Sequence, residues 1–436
     1  MACKKFQIIV LGGGLTGLST AKLLNRPAVV LEKNISPGGL CRSYTNDGFT
    51  FDYTGHLLHF KENWTKALVS EILDGNIVKI ERNAAIYSNG RYTPYPFQAN
   101  TWGLPADVVK DCLLGFINSI LEKKDEFGKE ENYKDWVENT FGYGIVQHFL
   151  EPYNNKLFRC NLTNLSNEWV DEYIPKPDFE MVLDGALGIK THRLGYNAHF
   201  YYPQKGGIQG LVDGLTRSIE NIMTGVEVIS IDIEKKIVKT LDGNSFSYEY
   251  LVSTIPLNKL MQIINPLPEN FKKLSRKLEY VSVLDFNLGI ARKNISPYHW
   301  IYFPENKFVF YRCGFPSNFS DNLAPEGTSS IYVEISMKRE ELLNEKKIFN
   351  KIIDGLVESK ILKSYSEVIH SSFKLIDVAY VIYNHERRKI VSEISNFLLK
   401  KGLTSIGRYG AWEYSAMEEA IIWGKNTAER INQLTA

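Results

Sequence analysis

The sequence lacks any cysteine pair at metal or redox spacing. Its five cysteines, Cys3, Cys41, Cys112, Cys160 and Cys313, are odd in number and widely spread, with no CxxC. That spacing excludes a zinc-ribbon site and a disulfide framework. Net charge is lacking too: 51 basic against 50 acidic residues leave +1. Such a balance points to no nucleic-acid partner and no polybasic membrane anchor. No apolar run approaches the ~20 residues of a spanning helix. The opening "MACKKFQIIVLGGG" has too short an apolar run for a signal peptide. Internal repeats and low-complexity tracts are absent, and no metal-ligand cluster stands out. A cytoplasmic, thiol-reduced chain is the expectation.

What the chain does have is ordinary globular material. Its 436 residues are 44% apolar and 23% charged, enough for two or three domains. "FQIIVLG" (6–12) is a β-branched run of the kind buried on both faces of a parallel sheet. "GGGLTGLSTAKLL" then places Gly12, Gly14 and Gly17 at the opening of a helix, and "AVVLEK" (28–33) reads as a second strand carrying Glu32. Gly12 permits the tight turn, Gly14 lets a pyrophosphate approach the backbone, and Gly17 allows close helix–strand packing. Free N–H groups at the helix start suit phosphate, and Glu32 suits the ribose hydroxyls of an adenosine.

Next comes "NISPGGLCRSY" (34–44). A second glycine pair ending in Gly39, followed by Arg42, favours FAD over NAD. Two later stretches agree. "GVEVISIDIEKKIVKTLDGNSFSYEYLVSTIP" (225–256) reads as short strands around an "LDGN" turn, with backbone near Val228 expected against the adenine. "LTSIGRYGAWEY" (403–414) reads as a strand running into Gly407, followed by a helix opening with Met417. Glycines from both chain ends are expected on one cofactor, with Gly407, Tyr414 and Met417 on its flavin side. Between these pieces, residues 99–190 show helical patterning. Residues 257–385 mix strands ("YVSVLDFNLGIAR", "KFVFYRCGF", "SSIYVEIS") with one helix, "KIFNKIIDGLVES".

Six blocks, in order along nearly the whole chain, resemble the UDP-galactopyranose mutase family, closer to its eukaryotic type. They are "DYTGHLLHF" (52–60), "GRYTPYPFQAN" (90–100), "FLEPYNNKLF" (149–158), "GYNAHFYYPQKGGIQGLVDGL" (195–215), "HWIYFPENKFVFYR" (299–312) and "GRYGAWEY" (407–414). The FAD motifs are shared with amine oxidases and protoporphyrinogen oxidases, whereas "PYPFQ" and "YFPENKFVFYR" are specific to the mutases. The resemblance implies an α/β fold: a Rossmann-like FAD-binding domain (GR2-type) with an inserted helical domain and an antiparallel β-sheet substrate domain. It assigns 1–78, 203–256 and 386–436 to FAD binding, 99–190 to the helical insertion, and 79–98, 191–202 and 257–385 to the substrate sheet.

The implied activity is an isomerisation of pyranose and furanose nucleotide-sugars, in which N5 of reduced FAD attacks the anomeric carbon. NAD(P)H is a candidate reductant, and homo-oligomerisation is left open. The resemblance places His56 beside the flavin and Arg312 on the substrate diphosphate. It places Phe97, Gln98 and Asn154 in a uridine pocket, Asn197 near flavin and diphosphate, and Trp300 and Tyr302 in the substrate channel. Tyr380 and Tyr414 then hydrogen-bond the diphosphate. Two departures stand out: Tyr173 in "WVDEYIPKP" occupies an expected arginine position, with Arg159 and Arg193 as candidate substitutes, and Glu413 replaces a basic residue. The alternative is an FAD-dependent oxidoreductase of the amine oxidase or protoporphyrinogen oxidase type.

Overall fold

A computed structural model describes residues 3–121, 131–170, 173–189, 198–341 and 344–434 of the chain. Its centre is a five-stranded parallel sheet in the order Ile222–Met223, Ala28–Leu31, Ile8–Leu11, Tyr250–Ser253, Leu403–Ser405. Ile8–Leu11 is buried along its whole length, as a strand covered on both faces must be. Helix Leu15–Leu23 leaves this strand through the glycine turn and packs against the last helix, Met417–Leu434. The two cross closely because Gly424 has no side chain: an added Cβ there meets the Ser19 Cβ at 2.6 Å.

The stretch 225–256 forms the expected short strands. Val228–Asp232, Ile237–Thr240 and Ser245–Ser247 pair antiparallel, and Tyr250–Ser253 joins the parallel sheet. Strands Lys4–Lys5 and Ile264–Asn265 complete this second five-stranded sheet at its two edges.

The third sheet has seven strands, ordered Val368–Val381, Tyr280–Ile290, Ser329–Met337, Arg312–Gly314, Trp300–Tyr302, Ala84–Ser88, Arg91–Pro94. Every pairing is antiparallel except Trp300–Tyr302 against Ala84–Ser88, which is parallel. Its long central strands are almost wholly buried. Among the described residues, 257–385 hold three α-helices rather than the single helix anticipated: Leu257–Ile263, Glu269–Arg276 and Glu345–Glu358. The first two are short and start behind Pro256 and Pro268. Two turns carry too few apolar repeats to mark a helical period.

Between the strands of this sheet run helices Ala106–Leu121, Tyr133–Ile145, Glu151–Phe158 and Phe179–Leu187. The first pair touches backbone to backbone, since a Cβ on Gly144 would lie 2.0 Å from the Asp111 carbonyl oxygen. Lys156 ties this layer to the seven-stranded sheet. Its buried Nζ donates to the carbonyls of Phe303, Glu305 and Phe310 at 2.8, 2.6 and 3.1 Å. Among the described residues, no helix is long and apolar enough to cross a membrane.

Candidate active site

The glycine turn shows why each of its residues is small. An added Cβ on Gly17 would fall 2.1 Å from the Gly12 carbonyl oxygen, so only glycine lets the helix start this close. Gly14 caps helix Leu15–Leu23 without any side-chain bond. The first N–H groups of that helix therefore suit an anion. The Pro-Gly-Gly turn lies directly on the loop: the Gly38 N–H donates to the Gly13 carbonyl at 2.7 Å, and a Cβ on Gly39 would meet the Gly14 Cα at 3.1 Å. Arg42 Nε closes the turn on the Gly39 carbonyl at 2.8 Å, its guanidinium 4.7 Å from the Tyr53 ring centroid.

Glu32 is buried, and its carboxylate accepts from the Gly13 N–H at 2.8 Å and from the Asn34 N–H at 2.8 Å. It thus fixes the glycine loop while standing at the end of the second strand. The segment leading to Val228 runs alongside, the Val226 N–H bonding the Glu32 carbonyl at 2.9 Å. From the other end of the chain, Gly407 (φ +82) sits against Thr16, where a Cβ would touch Oγ1 at 2.8 Å. Met417 is buried in the same apolar cluster as Leu15 and Leu18. Both glycine-rich ends therefore meet at one helix start. The bare backbone, uncapped amides and buried acid fit a dinucleotide such as FAD.

The second half of the site is a row across the seven-stranded sheet. Tyr302 pairs in register with Arg312, Arg312 with Glu334, and Glu334 with Asp285. Directly opposed residues on antiparallel strands point to the same face. Arg312 and Glu334 form a two-bond ion pair, and the Glu334 carboxylate is nearly wholly buried. Arg312 Nη1 makes no hydrogen bond among the described residues. Around Arg312 stand Tyr153, Tyr311, Tyr332 and Tyr380, all with hydroxyls pushed upward in pKa, first by burial.

His56 lies beyond this row, where the charges of both Arg408 and Arg312 reach it. Burial first, then those two cations, pull its pKa down to about 4, so its ring is neutral at physiological pH. Two carboxylates hold the loop that carries it. Asp52 accepts from Ser43, from Tyr202 and from the Ile208 N–H at 2.6, 2.6 and 3.2 Å. Asp285 accepts from the N–H of Thr54, whose φ is +67.

Arg408 makes no ion pair among the described residues. Its guanidinium lies 4.6 Å from the Tyr414 centroid and donates to the Ser415 carbonyl at 2.5 Å. Tyr414 stacks with Tyr380 at 6.1 Å and meets Tyr173 edge-on at 4.6 Å. Tyr173 therefore adds an aromatic wall at its position, not a charge. Glu413 lies 3.6 Å from Arg387.

The other expected substrate residues lie deeper. Phe97 is fully buried against Phe149, with centroids 5.0 Å apart. Gln98 donates to the Pro175 carbonyl at 2.7 Å, and Asn154 donates to the Leu150 carbonyl at 2.7 Å and to the Tyr133 hydroxyl at 3.2 Å. Trp300 is buried, and its indole N–H has no partner among the described residues. Tyr302 stacks on Tyr95 at 5.2 Å and stands edge-on to Tyr153 at 5.5 Å. Arg159 is committed to Glu341. Asn197 and Arg193 lie outside the described residues. Sequence reasoning singled out neither Glu334 nor Asp285, whose signal is cross-strand register. It also passed over Arg408, although that residue stands between two glycines in a motif already quoted.

The glycine cradle and the fold around it define an FAD-dependent enzyme. The chain belongs to the family of flavin containing amine oxidoreductases, whose family model matches residues 15–432. Among solved structures it is similar to a reduced UDP-galactopyranose mutase, at 26% identity and a TM-score of 0.92, covering 98% of this chain and 96% of that one. It shares its fold with a putative protoporphyrinogen oxidase from Exiguobacterium sp. 255-15, at 15% identity and a TM-score of 0.76 over 100% of both chains. A curated relative from Danio rerio, an inactive all-trans-retinol 13,14-reductase, is 34% identical over 87 residues. That match covers 18% of this chain and spans only 14% of the relative.

Proposed function

We propose that this chain is a flavin-dependent nucleotide-sugar mutase, interconverting pyranose and furanose forms of UDP-galactose or a related nucleotide-sugar. The observation that carries the reading is the similarity to reduced UDP-galactopyranose mutase over 98% of the chain. When bound, reduced FAD supplies the nucleophile for the anomeric carbon. The chain's own residues bind the nucleotide, hold charge and keep water out.

Arg312, held flat by Glu334, keeps Nη1 for a phosphate oxygen, and a planar donor suits that task. Glu334 cancels the Arg312 charge. The uncompensated positive charge that a diphosphate needs comes from Arg408. Tyr380 and Tyr414 offer hydroxyls beside it, and the stacked Tyr95, Tyr302 and Tyr153 wall the approach. A neutral His56 beside two arginines acts as a hydrogen-bonding group toward the flavin, not as an acid. Phe97, Gln98, Asn154 and Asn197 are the proposed uridine and flavin-side contacts, and NAD(P)H is the candidate reductant.

A net oxidation is the second reading, favoured by the family's own description. Titration of UDP into the FAD-loaded protein separates the two. Binding with a Kd below about 1 mM, about −4 kcal/mol, supports the nucleotide-sugar reading, and no binding at that concentration contradicts it.

A further inference from the structure

We propose that Asp285 is the positioning residue joining the two halves of the site: its carboxyl holds the backbone of the His56 loop and faces the Glu334 carboxylate that orients Arg312. The inference rests on the nucleotide-sugar reading above and names a residue that the reading leaves out.

The geometry starts from register. Asp285 stands directly opposite Glu334 on one side and Lys374 on the other, and Glu334 stands opposite Arg312. Asp285 is 0% exposed. Its Oδ2 accepts from the Thr54 N–H at 3.3 Å and from Asn287 Nδ2 at 2.8 Å. Thr54 adopts a left-handed backbone, a conformation a β-branched residue keeps only when neighbours enforce it. Two residues later comes His56. The same carboxyl therefore bonds the histidine loop and stands in register beside the arginine row.

Asp285 Oδ1 is buried and has no hydrogen-bond partner among the described residues. A charged oxygen in that position is costly, which favours the neutral acid. The groups facing it agree. Glu334 and Asp52 add negative charge, Tyr44 closes the Asn287 side, and Lys374 lies 4.7 Å from the Tyr44 ring centroid and pairs with no carboxylate among the described residues. Burial above all, helped by Glu334 and Asp52, pushes Asp285 up to about 8. At neutral pH the row Arg312–Glu334–Asp285 is then balanced. Above that pH a second negative charge arises beside Glu334, and the arginine end attracts a diphosphate less.

The test uses the FAD-loaded full chain with D285N and D285V. Asn keeps an acceptor for Thr54 and is permanently neutral, while Val keeps the volume and strand preference but removes the acceptor. Hydrogen exchange of residues 50–58 is expected to rise at least about tenfold in D285V and to stay within about twofold of wild type in D285N. The UDP Kd of wild type is expected to weaken about tenfold between pH 7 and 9, and that of D285N to stay level. Unchanged exchange in D285V, or an alkaline loss of affinity retained in D285N, overturns the proposal. Wild-type protein that binds no UDP at any pH overturns the nucleotide reading, and the exchange comparison then decides Asp285 alone. A D285V that does not fold leaves the decision to the pH profile of D285N.

Discussion

Arg312 and Glu334 stand opposite each other on neighbouring strands and share two hydrogen bonds, Nε to Oε2 at 2.6 Å and Nη2 to Oε1 at 2.8 Å. The pair does two jobs: it fixes the plane of the guanidinium, and it keeps a buried carboxylate compensated. Each job can be removed separately. R312K retains a charge but loses the fork, so UDP affinity should fall by roughly 1.5–3 kcal/mol with FAD content unchanged. R312M strands Glu334 and should cost about 3–5 kcal/mol of stability. R312M/E334Q should recover most of that loss in chemical denaturation. Equal stability of R312M and wild type would show that the pair is not structural.

His56 should titrate far below an ordinary histidine. Its folded pKa is lowered to about 4 from 6.5. Between those values the unfolded chain takes up a proton that the folded chain refuses. Stability from this group is therefore full above pH 6.5 and lost as pH falls toward 4. A ring resonance assigned by comparison with H56N should shift with a midpoint near pH 4. A midpoint near 6.5 would remove the basis for treating the ring as neutral.

Gly14 and Gly17 of the loop should fail differently. G17A forces a Cβ to 2.1 Å from a carbonyl oxygen, so the fold itself suffers and Tm drops with or without FAD. At Gly14 an added Cβ meets nothing closer than the Gly39 Cα at 3.9 Å. G14A should keep the apoprotein Tm within a few degrees and lose flavin, measured as the absorbance of purified protein. The reverse ranking would mean that Gly14 is not the phosphate position.

Lys156 is expected to matter for stability more than its surface-residue type suggests. K156M takes the ammonium from the buried carbonyls of Phe303 and Phe310, which precede Arg312 in the turn, while the Glu305 carbonyl keeps the Phe308 N–H at 3.2 Å. With each of these two acceptors costing ~1 kcal/mol or more when orphaned, denaturant stability should fall by about 2 kcal/mol. A loss below about 1 kcal/mol would mean that water replaces the ammonium.

How much of this was legible follows from distance along the chain. Gly12, Gly14, Gly17 and Glu32 lie within one strand–helix–strand unit, and local spacing reveals them. Gly407 against Thr16 was legible as an idea, because a second glycine turn asked for a ligand. Arg312 came through a motif, but its partner did not: Glu334 and Asp285 sit in apolar strands of distant segments, and only register brings them to one face. Helices Leu257–Ile263 and Glu269–Arg276 were missed for want of periodicity. Phe97 and Asn154 stand in the expected block, and the structure packs both into the helical layer.

The most direct measurement is conversion of UDP-galactofuranose by the FAD-loaded protein under anaerobic conditions, with the flavin first oxidised and then chemically reduced. Furanose is the better starting form because the equilibrium favours the six-membered ring. The account predicts UDP-galactopyranose only with reduced flavin, with the flavin still reduced after many turnovers. Conversion in neither state, for UDP-galactofuranose and for other nucleotide-furanoses alike, would contradict it and leave an oxidase to be sought.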